Sequence, residues 1–192
     1  FRLGLDSNGY ECVFASDNDK FAQATYKENF GDMPYGDITK IDERDIPDHN
    51  LLIAGFPCQP FSISGKKNGF EDTRGTLFFD ICRIIKEKEP NVVLLENVKH
   101  FANHDKKNPL RVVVNSLVEL GYHVNYKILK LTNFGLPHHR ERIIIIGSRN
   151  KEFDFNQISY KKSPPLKEFL QKKGDFHILN KSEYILLKKN EY

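Results

Sequence analysis

Residues 51–58 read LLIAGFPC. Leu51-Leu52-Ile53-Ala54 is an unbroken apolar run, the pattern of a strand covered on both faces rather than one with a wet side. It runs into Gly55-Phe56-Pro57 and then the thiol of Cys58. Pro60 follows two residues on, and Ser62, Ser64 and Gly65 then loosen the chain. The strand therefore ends on a thiol held between two prolines.

Working outward, three more apolar runs have the same character: Cys12-Val13-Phe14-Ala15, Val92 to Leu95 and Ile143 to Ile146. A further strand is expected near His123 to Leu129. Helical periodicity fills the gaps. Residues 19 to 30 place Phe21, Ala22, Thr25, Tyr26 and Phe30 on one side. Residues 76 to 88 do so with Leu77, Phe78, Ile81, Ile84 and Ile85, and residues 108 to 120 with Leu110, Val113, Val114 and Leu117. Strand and helix alternate, so the predicted fold is α/β, a doubly wound, mostly parallel sheet whose last strand returns antiparallel. Residues 1–148 form the predicted catalytic domain. From residue 149 the chain turns Lys-rich and carries Ser163-Pro164-Pro165, so residues 149–192 read as a linker and the start of another region.

Composition narrows the class. The 192 residues are 39% hydrophobic and 29% charged, which suits a globular protein with a real core. No apolar run approaches the roughly 18 residues of a membrane helix, and no basic flank precedes an apolar stretch at the front. Three cysteines, Cys12, Cys58 and Cys82, are odd in number and widely spaced. They make neither a disulfide framework nor a paired zinc motif, so no metal and a reducing cytoplasm are expected. The formal charge of +3 permits nucleic acid as a partner without requiring it. Met33 is the only methionine, so the chain reads as cut at its front.

In open α/β sheets, ligands bind beyond the carboxyl ends of the strands. The residues that follow each run are therefore the candidates. Ser16-Asp17-Asn18-Asp19 follows the first, Gly55-Phe56-Pro57-Cys58 the second and Glu96-Asn97-Val98 the third. The loop from Thr132 to His139 reaches the same edge, and strand alternation puts Arg140 and Arg142 on one face beyond it. An acid, a thiol, a second acid with an amide, and two guanidiniums converge.

Each has a plainer reading beside the chemical one. Cys12 and Cys82 read as small core hydrophobes, whereas Cys58 leaves its strand into a Pro, Ser and Gly loop and is the candidate nucleophile. Glu96 is either an ion-paired or capping acid or one tuned for chemistry. Asp17 is a turn acid or an acceptor for ribose hydroxyls. The arginines are edge-strand charges or an anion site. His138 and His139 leave a cysteine hydrolase open. The loop from Ser62 to Arg74 is a solvated surface loop or a lid that touches phosphate. A zinc nucleobase deaminase is excluded, because position 61 is Phe where its second cysteine would have to stand.

Gly55-Phe56-Pro57-Cys58-Gln59-Pro60-Phe61-Ser62, Glu96-Asn97-Val98 and Arg140-Glu141-Arg142 resemble, in order and spacing, three signature motifs of the DNA (cytosine-5) methyltransferases. Residues 70–78, FEDTRGTLF, are similar to the stretch after the catalytic loop in bacterial members, and Gly36-Asp37-Ile38-Thr39 to their cofactor segment. The resemblance covers residues 1 to about 148. It implies a Rossmann-like fold that uses S-adenosylmethionine, and duplex DNA as partner. It implies that Cys58 attacks C6 of a flipped cytosine. Glu96 would hold the N3 and N4 edge, Asn97 and Pro57 would fix the geometry, and Arg140 and Arg142 would hold the ring and the catalytic loop. The methyl donor would lie against Asp17, Asn18, Asp37, Ile38, Gly55, Pro57 and Leu77. Ser62, Ser64, Lys66 and Arg74 would reach DNA.

Against the family pattern, the first glycine-rich cofactor loop and the target-recognition region are missing, and His138 stands where many members carry Gln. The expectation is a piece of a longer enzyme or one completed by another subunit. Two other readings remain: a tRNA cytosine-5 methyltransferase, and a catalytically silent DNA-binding subunit.

Overall fold

The structure is a computed structural model that describes residues 1–57, 77–103, 108–170 and 174. Cys58, Ser62, Ser64, Lys66 and Arg74 lie outside the described residues.

Four strands form one sheet: β1 (Leu51–Gly55), β2 (Val92–Val98), β3 (His123–Lys130) and β4 (Glu141–Ser148). Their order across the sheet is β1-β2-β4-β3. β1 and β2 are parallel; β4 runs antiparallel to both of its neighbours, β2 and β3. The last strand is thus antiparallel as expected, and it is inserted between β2 and β3 rather than added at an edge.

Two amphipathic helices cover one face. In α3 (Leu77–Lys88), Phe78, Ile81, Cys82, Ile84 and Ile85 are buried, and in α4 (Asn108–Glu119), Pro109, Leu110, Val113, Ser116 and Leu117. Both sets follow the three-and-four spacing of a single helical stripe. They pack on Val93, Leu95, Ile143 and Ile145, all fully buried. Period-two alternation sends Asn97 to this same face and Glu96 to the other. Tyr122 closes the core and donates its hydroxyl to the Pro90 carbonyl at 2.6 Å. Gly147 makes room for it: a Cβ there would sit 3.3 Å from Tyr122 Cβ.

Toward the amino end, α1 (Arg2–Asp6) leans on α2 (Lys20–Phe30) through Arg2, whose Nη1 donates to the Tyr26 hydroxyl at 2.8 Å. Asp19 caps α2 by accepting from the Phe21 and Ala22 amides, and Gly31 ends it at φ 81°. The expected apolar side of α2 is only partly covered. Ala22, Tyr26 and Phe30 are half-buried, while Phe21 is 82% exposed. The apolar run from Cys12 to Ala15 forms no strand. An apolar sequence makes a ladder only beside a partner edge, and here the pairing is one parallel bridge, Ser16 to Tyr35.

Candidate active site

The carboxyl end of β1 is pinned from three sides. Phe56 is buried edge-on against Phe101 with ring centroids 5.4 Å apart, and packs against Phe78 at 5.6 Å. Asn97, 3% exposed, donates Nδ2 to the Phe56 carbonyl at 2.8 Å and accepts from the Val98 amide with Oδ1, also at 2.8 Å. A buried amide satisfied at both ends holds one position, because losing either partner strands a polar group without water. Asn97 therefore fixes the Gly55-Phe56-Pro57 exit that leads to residue 58.

One residue earlier, Glu96 points to the opposite face. It pairs across the ladder with Gly55 on one side and Ile144 on the other. Its Oε2 lies 3.6 Å from where a Cβ on Gly55 would be, an ordinary contact distance that puts the acid directly beside the end of β1. Arg142 pairs with Val98, and alternation puts its side chain on Glu96's face. Arg142 Nε meets Glu96 Oε1 at 2.7 Å, with both side chains about three-quarters covered. Arg142 also donates Nη1 to the Glu141 carbonyl at 2.9 Å. Glu141 in turn takes a 2.8 Å hydrogen bond from Lys99, which holds its carboxyl below the usual carboxylate range.

Arg140 is not brought into this pair. It precedes β4, is exposed, and forms no ion pair among the described residues. Its amide donates to the His138 carbonyl at 2.9 Å, while its carbonyl accepts from the Leu131 amide at 3.0 Å. That loop, residues 131–139, packs on residues 160–166. The Lys161 amide donates to the Asn133 carbonyl at 2.7 Å, and the two walls bound a cleft of about 690 Å³.

Four of the cofactor candidates, Asp17, Asn18, Asp37 and Ile38, lie together at a second place, while Gly55 and Pro57 stay at the end of β1. The Ser16–Tyr35 bridge sets the turns bearing Asp17 and Asp37 side by side, with the Asp17 amide donating to the Tyr35 carbonyl at 3.0 Å. Asp17 and Asn18 are exposed, and Asp17 Oδ1 accepts from the Asp19 amide at 2.9 Å. Asp37 caps a short 3-10 turn, Ile38–Lys40, accepting from the Thr39 amide at 3.1 Å and the Thr39 hydroxyl at 2.8 Å. The Thr39 contacts, with Lys40 beyond them, hold the Asp37 carboxyl below the usual range. Ile38 is half-buried, and Leu77, at the start of α3, is 36% exposed.

The other cysteines follow the plainer reading in part. Cys82 is 2% exposed and burial pushes its thiol up to about 12, which leaves it protonated and inert. Cys12 is half-buried, with Sγ donating to the Phe14 carbonyl at 3.3 Å. Among the described residues, no group of three or more His, Cys, Asp or Glu is placed to hold a metal ion, and no helix is long and apolar enough to cross a membrane. One residue escaped the sequence reading altogether. Arg83 on α3 holds the segment that carries Asp37 and Ile38, and the i,i+3 pair Asp80–Arg83 in the apolar first part of that helix was its only trace.

Comparison with known proteins places these motifs. A family model described as C-5 cytosine-specific DNA methylase matches residues 1–192. The chain is 57% identical over 150 residues to the Type II methyltransferase M.HhaI of Haemophilus parahaemolyticus, covering 78% of this chain and 46% of that one. It is 54% identical over 168 residues to M1.ScrFI of Lactococcus lactis subsp. cremoris, covering 87% and 43%. The chain thus spans less than half the length of these curated relatives. Among solved structures, a mutant of Spodoptera frugiperda DNMT2 superposes with a TM-score of 0.70 at 21% identity, over 91% of this chain and 57% of that one. A putative DNA modification methyltransferase from an E. coli prophage gives 0.66 at 22%, over 85% and 48%. At these identities the structural likeness speaks for the fold.

Proposed function

This chain belongs to the C-5 cytosine-specific DNA methylases, and from that membership we propose that it transfers a methyl group from S-adenosylmethionine to C5 of cytosine in duplex DNA, within a Type II restriction–modification pair. The observation that carries the proposal is the paired arrangement at the end of β2. Glu96 is held by Arg142 on one face while Asn97 holds the Phe56 carbonyl on the other. An acid and the exit toward Cys58 are thereby fixed from adjacent residues of one strand.

The residues suit the methyl donor. Asp17 and Asp37 offer carboxylate oxygens to ribose hydroxyls and the adenine amine, and Ile38 and Leu77 offer apolar contact. Bound there, S-adenosylmethionine supplies an electrophilic methyl group. The Cys58 thiolate adds to C6 of a flipped cytosine. The Glu96 carboxylate accepts from the protonated N3 and the N4 amine, drawing electron density off C6. C5, made nucleophilic by that addition, would take the methyl group as its bond to the donor's sulfonium breaks and S-adenosylhomocysteine leaves with the electron pair. A base then removes the C5 proton, and the electron pair expels Cys58 as the double bond reforms. Arg142 keeps the Glu96 carboxylate in its plane throughout. Arg140 is the second cation for the ring or for DNA, and Ser62, Ser64, Lys66 and Arg74 contact the DNA backbone.

Cys12 and Cys82 are unpaired, which suits a reducing cytoplasm. The test is a methyl-transfer assay with the full-length protein on duplex DNA and on tRNA, followed by nucleoside analysis. The reading expects 5-methylcytosine in DNA. Methyl transfer to tRNA alone, or to neither, contradicts it.

A further inference from the structure

Arg83 on α3 reaches the residues that carry the Asp37 turn. Its Nη2 donates to the Ile38 carbonyl at 2.6 Å. Its Nη1 donates to the Ile41 carbonyl at 2.9 Å and to Glu43 Oε2 at 2.6 Å. Its Nε donates to Asp80 Oδ1 at 2.9 Å. One planar guanidinium thus spans four acceptors, three of them some 40 to 45 residues upstream in the chain. A lysine, with one point charge and no fork, cannot span them together. The side chain is 26% exposed, so these bonds are partly shielded from bulk water.

The segment needs that grip. It consists of two 3-10 turns, Ile38–Lys40 and Glu43–Asp45, each three residues long and each capped by its own aspartate. Such turns hold poorly by themselves, because their hydrogen bonds are badly aligned. No strand ladder runs through the segment. Beyond Arg83, Lys88 adds a bond to the Arg44 carbonyl at 3.2 Å and a contact to Asp48 at 3.5 Å, and Ile46 is buried at 2%. The Ile38 carbonyl accepts both from Arg83 and from the Ile41 amide at 3.2 Å, so the guanidinium bonds the turn that presents Asp37 and Ile38.

We propose that Arg83 is a positioning residue that presets the Asp37–Ile38 turn for the nucleoside of the methyl donor. The proposal rests on the assignment of Asp37 and Ile38 to the cofactor pocket. Without Arg83 the turn samples several poses, and a ligand must order it at a cost in affinity.

The test compares the full-length wild-type protein with Arg83→Met and Arg83→Lys. It uses S-adenosylhomocysteine as calorimetric probe and amide hydrogen exchange over residues 38–45 of the ligand-free protein. In Arg83→Met the dissociation constant should rise about tenfold, the scale of one or two net hydrogen bonds. Exchange over residues 38–45 should quicken while exchange in β2 and β4 stays as in the wild type. Arg83→Lys should fall between. The KM for the methyl donor should rise by more than kcat falls. Wild-type affinity in Arg83→Met overturns the role of Arg83 and leaves the cofactor reading standing. So does weakened affinity with faster exchange throughout the sheet, which marks a general loss of structure. A wild-type protein that does not bind the probe overturns both.

Discussion

Arg142 Nε lies 2.7 Å from Glu96 Oε1, and the two residues come from antiparallel neighbours, on the sheet face away from the core formed with α3 and α4. The pair is one-quarter exposed, enough for a substrate to reach the carboxylate and too little for water to screen the pair fully. Glu96→Gln keeps the shape and removes the charge. It should lower kcat by about a hundredfold or more, the usual range for a positioned acid–base group, with the dissociation constant for DNA changed far less. Single-turnover methylation beside a DNA-binding isotherm separates the two. Equal losses in both would make Glu96 a binding residue only.

Arg142→Lys tests the geometry of that pair. Lysine keeps a cation but lacks the guanidinium plane that lets one side chain reach Glu96 with Nε and the Glu141 carbonyl with Nη1. The expected loss is about tenfold in kcat, close to that of one misaligned charge-assisted bond. Activity equal to wild type would show that only charge matters there.

Asn97 should matter for folding as well as for the site. Asn97→Leu removes the partners of the Phe56 carbonyl and the Val98 amide inside a 3% exposed position. The expected cost is about 1–3 kcal/mol, that of one buried unsatisfied group, the Phe56 carbonyl, because the Val98 amide is only partly buried. Urea unfolding that shifts its midpoint without changing its slope would measure it. A variant of wild-type stability would mean that the exit from β1 is held by Phe56 packing alone.

Much of this arrangement was legible in the residues, and what was not has physical causes. The runs at Leu51, Val92 and Ile143 read as strands because they are unbroken and apolar, although in β2 full burial alternates and falls on the helix-covered face. The run at Cys12 looks the same in sequence, yet a strand also needs a paired edge, and only Ser16 meets a partner, Tyr35. Alternation put Arg140 and Arg142 on one face, but that argument assumes both residues are in the strand. β4 begins at Glu141, so only Arg142 is carried to Glu96. The residues single out Asn97 but not its partner, and Arg83 is missed, because their acceptors are backbone carbonyls some 40 residues away, and a carbonyl has no signature in sequence.

Cys82 gives a dependence on pH. Burial raises its thiol from 9.0 to about 12, so above pH 9 the unfolded chain ionises this group and the folded one does not. Stability from this source is fully present below about pH 9 and is lost as pH rises through about 12. Cys82→Ala should flatten that part of the stability curve. Thiol labelling at pH 8 should spare Cys82 in the folded protein and reach it on unfolding. Rapid labelling of the folded protein would contradict its burial.

The central claim is that Cys58 acts as a nucleophile toward cytosine with Glu96 beside it. It is tested most directly by incubating the full-length protein and S-adenosylmethionine with duplex DNA carrying 5-fluorocytosine at the target position. Fluorine at C5 cannot leave as a proton does, so a true adduct at C6 cannot be released. The account predicts a complex that survives denaturation, requires the methyl donor and disappears in Cys58→Ser. No adduct, or one that persists in Cys58→Ser, would contradict it.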